Sequence, residues 1–200
     1  GQNVYSSLPT TFATGNELGW DSIINCSDRA YGGGMIGVGG QDGLSIHDCY
    51  LNQTARPATH NGDIVGGVEG QNKNLQFYNN TSIKPDLDST NWDFHLEMWN
   101  TLGGNQVYNN TFIGGIILDI GGDSSLVGSS TYSWSFHDNN VSLSAQLATG
   151  TGYTPAGITL ETYGSGLVVY NNIFTNVTMP ISLQGNLNTG FRSEERRVGK

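Results

Sequence analysis

Short stretches in which apolar and polar residues alternate recur along the chain, as in Ile117-Leu118-Asp119 and Thr159-Leu160-Glu161. Alternation with a period of two residues predicts β-strands rather than helices. Glycine-rich turns follow, and then an apolar-aromatic step that ends in paired asparagines or their variants. This step recurs every 23 to 33 residues, a period typical of a stacked solenoid. Its copies are Ile23-Ile24-Asn25-Cys26, Ile46-His47-Asp48-Cys49, Phe77-Tyr78-Asn79-Asn80, Val107-Tyr108-Asn109-Asn110, Phe136-His137-Asp138-Asn139 and Val169-Tyr170-Asn171-Asn172.

The paired asparagines suit sharp turns between strands. Asparagine tolerates the left-handed backbone conformation that such turns require. Its side-chain amide carries both donors and acceptors, so it can pair with the same residue one coil away. We therefore expect stacked asparagine columns that close the turns without leaving polar groups unsatisfied.

An apolar residue follows the paired asparagines, as in Asn110-Thr111-Phe112, Asn139-Asn140-Val141 and Asn172-Ile173-Phe174. This pattern, over roughly residues 20 to 191, resembles that of the right-handed parallel β-helix family typified by pectate-lyase-like proteins. The resemblance implies an all-β chain that forms a right-handed, single-stranded parallel β-helix of about six coils. That fold carries lyases, hydrolases, epimerases, phage spikes and adhesins. The Asn-Thr-Asp, Gly-His-Gly and Arg-Ile-Lys signatures of polygalacturonase-type helices do not occur, so no catalytic triad is carried over.

Composition favours one thin, tightly turned β domain. Glycine accounts for 29 of the 200 residues, and charged residues for 12%, against about a quarter in typical domains. We expect one domain over residues 1–191, truncated at both ends, with further coils or domains in the full-length protein. Residues 192–200 hold four of the eight basic residues and break the pattern. This segment resembles translated adaptor sequence, and we expect it to be a non-native tail.

Charge limits the classes of partner. Outside residues 192–200 the chain has 15 acidic and four basic residues, a net charge of −11. Such a surface repels nucleic acid and polyanionic glycans unless cations intervene. No apolar run is long enough to cross a membrane. Low charge and many asparagines suit a secreted or cell-surface protein.

The two cysteines occupy equivalent positions in the first two copies of the repeat. Cys26 and Cys49 should then lie one strand spacing apart, roughly 4.8 Å. That separation permits a disulfide. Two buried thiols beside the asparagine column are the alternative.

Aligning the first strand of each coil on its inward Val or Leu places acidic residues at one outward position. Like charges on neighbouring strands are destabilising, and two charges at 4 Å repel by about 1 kcal/mol even in water. A bound cation, protonated carboxyls or a sugar whose chemistry needs the acids would compensate for this repulsion. A solvated strand face is the alternative. The column comprises Glu69, Glu97, Asp119, Glu161 and Gln184.

Strand spacing determines which chemistry these carboxyls could perform. Acids on adjacent strands, at roughly 4.8 Å, approach the separation in a retaining glycosidase, whereas alternate strands suit an inverting enzyme. We therefore expect a glycoside hydrolase that acts on an extracellular polysaccharide or oligosaccharide. The acids at its centre are Glu97, Asp119 and Glu161, with Glu69 beside them.

Neighbouring residues could assist these acids. His95 lies two residues before Glu97, so we expect it to point outward with a pKa raised by the carboxylates. Aromatic rings two residues past the acids suit the apolar faces of sugars, although packing under a loop would also explain them. The candidate substrate-binding residues are Trp92, Asp93, Trp99, Tyr163 and Gln184.

Two further functions fit the same pattern. One is a calcium-dependent polysaccharide lyase, which would need a base and cations to neutralise a uronate. The other is a non-catalytic, glycan-binding or adhesive solenoid. The sequence requires no cofactor and assigns no metal ligands: the histidines are too scattered for a zinc site, and calcium is the candidate cation.

Overall fold

A computed structural model shows a chain built of parallel β-strands. No helix occurs in the part of the chain that it describes, and every strand pairing there is parallel. The all-β parallel solenoid predicted from the repeat is therefore confirmed. The structure describes residues 11–26, 35–54, 64–67, 72–84, 94–121, 133–142, 156–160, 166–177, 179–183 and 192–194.

Three sheets run along the solenoid, and each turn adds one strand to each of them. Sheet 1 consists of β2 (Glu17–Gly19), β6 (Ser45–His47), β9 (Gln76–Tyr78), β12 (Asn105–Tyr108), β15 (Trp134–His137), β18 (Leu167–Tyr170) and β21 (Arg192–Glu194). Sheet 2 consists of β3 (Ser22–Ile24), β7 (Tyr50–Asn52), β10 (Thr81–Ile83), β13 (Thr111–Ile113), β16 (Asn140–Ser142) and β19 (Ile173–Thr175). Sheet 3 consists of β4 (Ile36–Gly37), β8 (Val65–Gly67), β11 (Phe94–Trp99), β14 (Ile116–Gly121), β17 (Ala156–Leu160) and β20 (Met179–Leu183). A short pair, β1 (Ala13–Thr14) and β5 (Gln41–Asp42), lies beside them.

The solenoid has about four turns with a neighbour on both sides, rather than the six coils expected. Most strands beyond these turns pair with a neighbour on one side only, although β18 pairs with both β15 and β21. Apolar side chains there stay exposed, including Ile24 in β3 and Ile173 in β19. The flanked turns span residues 45–67, 76–99, 105–121 and 134–160.

Inward side chains of successive turns stack to form one continuous core. Phe77, Phe112, Phe136 and Phe174 follow one another along the axis, with ring centroids 5.9, 6.0 and 6.5 Å apart. Sheet 3 adds leucine, isoleucine and methionine from alternate positions. Each fully buried side chain of this size contributes roughly 1.5–3 kcal/mol, so the core forms only when the turns stack.

The turn from sheet 1 to sheet 2 is closed by a ladder of asparagines: Asn80, Asn110, Asn139 and Asn172. The backbone N–H of Asn80 donates to Asn110 Oδ1 at 2.9 Å, and its side-chain Nδ2 donates to Ile46 O at 3.0 Å. The next two rungs repeat this pattern. The residue before each rung has a positive φ, 56° at Asn79, Asn109, Asp138 and Asn171. The predicted asparagine columns are thus observed, and the left-handed residue makes the corner.

Neither alternative for the two cysteines, a disulfide or two buried thiols, is observed, because Cys26 and Cys49 do not occupy equivalent positions in successive turns. β2 pairs with β6 so that Leu18 lies level with Ile46, and Asp21 therefore lies level with Cys49. Cys26 follows β3 instead. Both thiols are free, with Cys26 exposed and Cys49 buried. The apolar Ile23-Ile24 step belongs to a strand of sheet 2 and only imitates the turn motif.

We predict that Asn110→Ala strongly destabilises the solenoid. The change removes the acceptor of the Asn80 backbone N–H, a buried donor, and it removes the Nδ2 group that donates to Phe77 O and Asn139 Oδ1. An unsatisfied buried polar group costs about 1–3 kcal/mol. Urea denaturation followed by circular dichroism should show a loss of free energy of unfolding of at least this size.

Asn109→Gly is the matched control. Glycine accepts the positive φ of Asn109, and the Asn109 amide has no hydrogen-bond partner among the described residues. We expect its effect to stay below about 1 kcal/mol. Equal losses in the two variants would contradict a stabilising role for the ladder.

Candidate functional site

Two carboxylates lie side by side on the outer face of sheet 3. Glu97 of β11 pairs in register with Asp119 of β14. Each acid stands between residues that point into the core, Leu96 and Met98 in one strand and their counterparts in the next. Strand spacing places their Cα atoms roughly 4.8 Å apart. The predicted adjacency of these two acids is confirmed.

The remaining positions of this column hold no acid. Gly66 precedes Glu97, while Thr159 and then Ser182 follow Asp119. The acids and amide expected there come two or three residues later in the chain, because the turns differ in length and shift where each strand starts. Glu69, Glu161, Gln184, Trp92, Asp93 and Tyr163 lie outside the described residues.

Asp119 is held in a dry environment. Its side chain is buried, with the residue only 1% exposed, and the Trp99 indole Nε1 donates a hydrogen bond to Asp119 Oδ2 at 3.1 Å. Such a bond to a carboxylate is stronger than one between neutral groups and fixes its orientation. Glu97 is half-buried and so reaches solvent more readily. The two acids therefore experience different surroundings although they are neighbours.

His95 does not lie on the outer face, and the expectation of an exposed, protonated ring is wrong. It is fully buried at the corner where β11 begins and contacts the Phe112 ring edge-on at 5.2 Å. Burial, together with the nearby charge of Lys84, lowers the pKa of His95 to about 3. The neutral ring donates from Nε2 to Gly114 O and accepts at Nδ1 from the Ser82 hydroxyl.

Lys84 extends this buried polar network. Its Nζ donates to Gln53 Oε1 at 2.8 Å, and both residues are almost wholly buried. Gly115, at φ 59°, passes close to Lys84 and His95, where a Cβ would meet Lys84 Cδ at 3.0 Å. The network joins the corners between sheets 2 and 3 in successive turns, and His95 belongs to it.

A ladder of aromatic and imidazole rings on the outer face of sheet 1 was missed by the sequence reasoning. Ring centroids of successive members lie 4.6–5.2 Å apart, with planes within 8° of parallel. The signal was present, because the residue before most of the asparagine or aspartate turns is tyrosine or histidine. The ladder comprises His47, Tyr78, Tyr108, His137 and Tyr170.

No family model, curated protein or solved structure matches this chain. The similarity to parallel β-helices is therefore a similarity of fold, and no activity is inferred from a related protein. Among the described residues, no group of three or more His, Cys, Asp or Glu side chains is arranged to hold a metal ion. The described part also includes no helix that is long and apolar enough to span a membrane.

His47, the first residue of the ring ladder, lies within hydrogen-bond distance of two carboxylates. His47 Nδ1 lies 2.8 Å from Asp48 Oδ2, and His47 Nε2 lies 2.7 Å from Glu17 Oε1 of the neighbouring turn. Trp20 meets the ring edge-on, and Tyr78 stacks on it, both at 4.8 Å. The hydrogen bonds to Asp48 and Glu17 raise the pKa of His47 above 6.5.

We predict opposite pH responses for these two histidines. Because its folded pKa is raised, His47 contributes stability fully below pH 6.5 and loses it as the pH rises through the folded value. His95, with its pKa near 3, stays neutral while the unfolded chain binds a proton, so it lowers stability as the pH falls from 6.5 towards 3. Histidine ring NMR signals between pH 4 and 9 should show His47 titrating above 6.5 and His95 not titrating.

Glu17→Gln should lower the titration midpoint of His47, because it removes one of the two anionic partners. Asp42→Asn is the control, since that carboxylate contacts Lys73 rather than His47. A His47 titration midpoint at or below pH 6.5 in the unmodified protein would contradict hydrogen bonding of this ring to Asp48 and Glu17.

Proposed function

We propose that this protein is a carbohydrate-active β-solenoid, a glycoside hydrolase for an extracellular polysaccharide, with Glu97 and Asp119 as its catalytic carboxyls. The observation that carries the proposal is their register pairing on adjacent strands of sheet 3. Parallel strands space such residues by roughly 4.8 Å, close to the 5–5.5 Å that separates the two carboxyls of a retaining glycosidase. Adjacent acids favour this mechanism over the inverting one, which needs a wider gap for water.

The surroundings of the two acids favour distinct roles. Asp119, fixed by the Trp99 indole, would act as the nucleophile that attacks the anomeric carbon and forms a glycosyl-enzyme. Glu97, half-buried and nearer to solvent, would protonate the leaving oxygen. It would then act as the base that removes a proton from water as the intermediate is hydrolysed. This reaction requires no cofactor.

The charge of the protein points to a neutral substrate. Acidic residues exceed basic ones by nine over the whole chain, so a polyanionic glycan would be repelled. A polymeric substrate implies that the protein works outside the cell, secreted or at the cell surface. Calcium would be needed only if the substrate carried charge.

A non-catalytic, glycan-binding solenoid is the second candidate function. The observation that favours it is the 1% exposure of Asp119, whose carboxylate would have to become accessible before it could attack a sugar. In that case the Trp99–Asp119 hydrogen bond would be a structural contact. Binding without turnover would distinguish this candidate from the hydrolase.

A lyase receives less support from the described residues. Lys73 lies 3.2 Å from Asp42, and Lys84 donates a hydrogen bond to Gln53 Oε1, so both lysines of the described part are engaged by other side chains. Arg29 and Arg56 lie outside the described residues. A calcium-dependent lyase would release an unsaturated, ultraviolet-absorbing product from pectate or alginate and would lose activity in a chelator, whereas a hydrolase would not.

We predict that Glu97→Gln and Asp119→Asn each lower turnover by about 10²–10⁴-fold while the fold is kept, because each change removes one carboxyl and preserves its shape. Reducing-end release from xylan, mannan and β-glucan measures turnover, and circular dichroism measures the fold. NMR of the first-formed sugar should show a retained anomeric configuration.

Thr159→Val is the matched control, since Thr159 occupies the next position of the same column and carries no carboxyl. Its turnover should equal that of the unmodified protein. Full turnover in the Glu97→Gln, Asp119→Asn double variant would dismiss the catalytic pair. Unmodified protein that binds one of these glycans without cleaving it would select the binding function instead.

A further inference from the structure

The corner between sheets 1 and 2 carries a second surface with the character of a ligand site. An open groove of about 350 Å³ crosses three successive turns on the outside of the solenoid. Its volume falls within the roughly 300–1,000 Å³ of typical ligand clefts. The part that faces a ligand is formed by Asn109, Thr111, Asp138, Asn140, Asn171 and Ile173.

The two asparagines of each pair have different tasks. The second, as at Asn110, is buried, and its amide is occupied by the ladder. The first, as at Asn109 and Asn171, is exposed, and its amide has no hydrogen-bond partner within the described ranges. Glycine would satisfy the positive φ there equally well, so the corner itself does not need these amides. Each offers two donors and one acceptor to a ligand.

Asp138 is the one ionisable side chain among the described residues that line the groove, and a hydrogen bond holds its carboxylate in place. Its Oδ2 lies 2.8 Å from His137 Nδ1. The His137 ring is stacked between Tyr108 at 5.2 Å and Tyr170 at 4.6 Å. The ring ladder thus fixes the carboxylate in place before any ligand arrives, which reduces the entropy lost on binding.

We propose that this groove is a binding site for a neutral oligosaccharide, separate from the acid pair on sheet 3. Amide, hydroxyl and carboxylate groups match the mixed donors and acceptors of sugar hydroxyls, and Ile173, 63% exposed, offers an apolar contact for a sugar ring. The described lining residues include a carboxylate and no cationic side chain, so an anionic ligand is disfavoured. The site does not depend on catalysis at Glu97 or Asp119.

The test is titration of the full chain with cellohexaose, xylohexaose and mannohexaose, with hexagalacturonate as the anionic probe. Isothermal calorimetry gives the affinity, and ¹⁵N NMR follows the side-chain amides of Asn109 and Asn171. The groove variant combines Asn109→Gly, Asp138→Asn and Asn171→Gly, which keeps the backbone conformation at the two asparagines. The control is Asn79→Gly, the equivalent change one turn outside the groove.

At least one neutral hexaose should bind and shift both amide signals. The groove variant should weaken this binding at least tenfold, whereas Asn79→Gly should leave it unchanged. The proposal is overturned by any of four results: no neutral probe binds, binding is undiminished in the groove variant, Asn79→Gly weakens it equally, or hexagalacturonate binds most tightly. Circular dichroism of the groove variant separates lost binding from lost fold.

Discussion

The asparagine ladder is the contact that makes this chain a solenoid with a defined register. Each rung satisfies a buried backbone N–H and a strand carbonyl of the preceding turn, so a turn can form only beside another turn. A register slip of one residue would break these bonds and reverse the inward and outward faces of every strand. Burial of the stacked phenylalanines stabilises the fold, and the asparagine ladder determines which residues of each strand face this core.

Strict register turns any repeated outward residue into a column. On sheet 1 it produces a stack of tyrosine and histidine rings, and on sheet 3 it brings Glu97 beside Asp119. At the corner between sheets 1 and 2 it leaves a row of exposed amides next to the buried rungs. The solenoid therefore presents separate surfaces of different chemistry, with the acid pair on sheet 3 and the groove at the corner between sheets 1 and 2.

One physical feature of the solenoid, the unequal length of its connections, cannot be predicted from alternation along the chain. Alternation tells which residues share a face, but connections of unequal length determine which residues become level between turns. Glu97 and Asp119 were placed correctly, whereas Thr159 rather than Glu161 continues their column, and Asp21 rather than Cys26 lies level with Cys49. The predicted exposure of His95 was wrong for a related reason. Alternation breaks down at a corner, where adjacent residues can both be buried.

Strand-forming alternation, the repeat and the asparagine turns were readable from the residues alone, because each depends on local backbone preferences and on a pattern within one turn. The number of flanked turns, the burial of His95 and Asp119, and the ring ladder depended on tertiary structure. These features arise from contacts between residues about 30 positions apart, and the lengths of the intervening connections set which side chains meet.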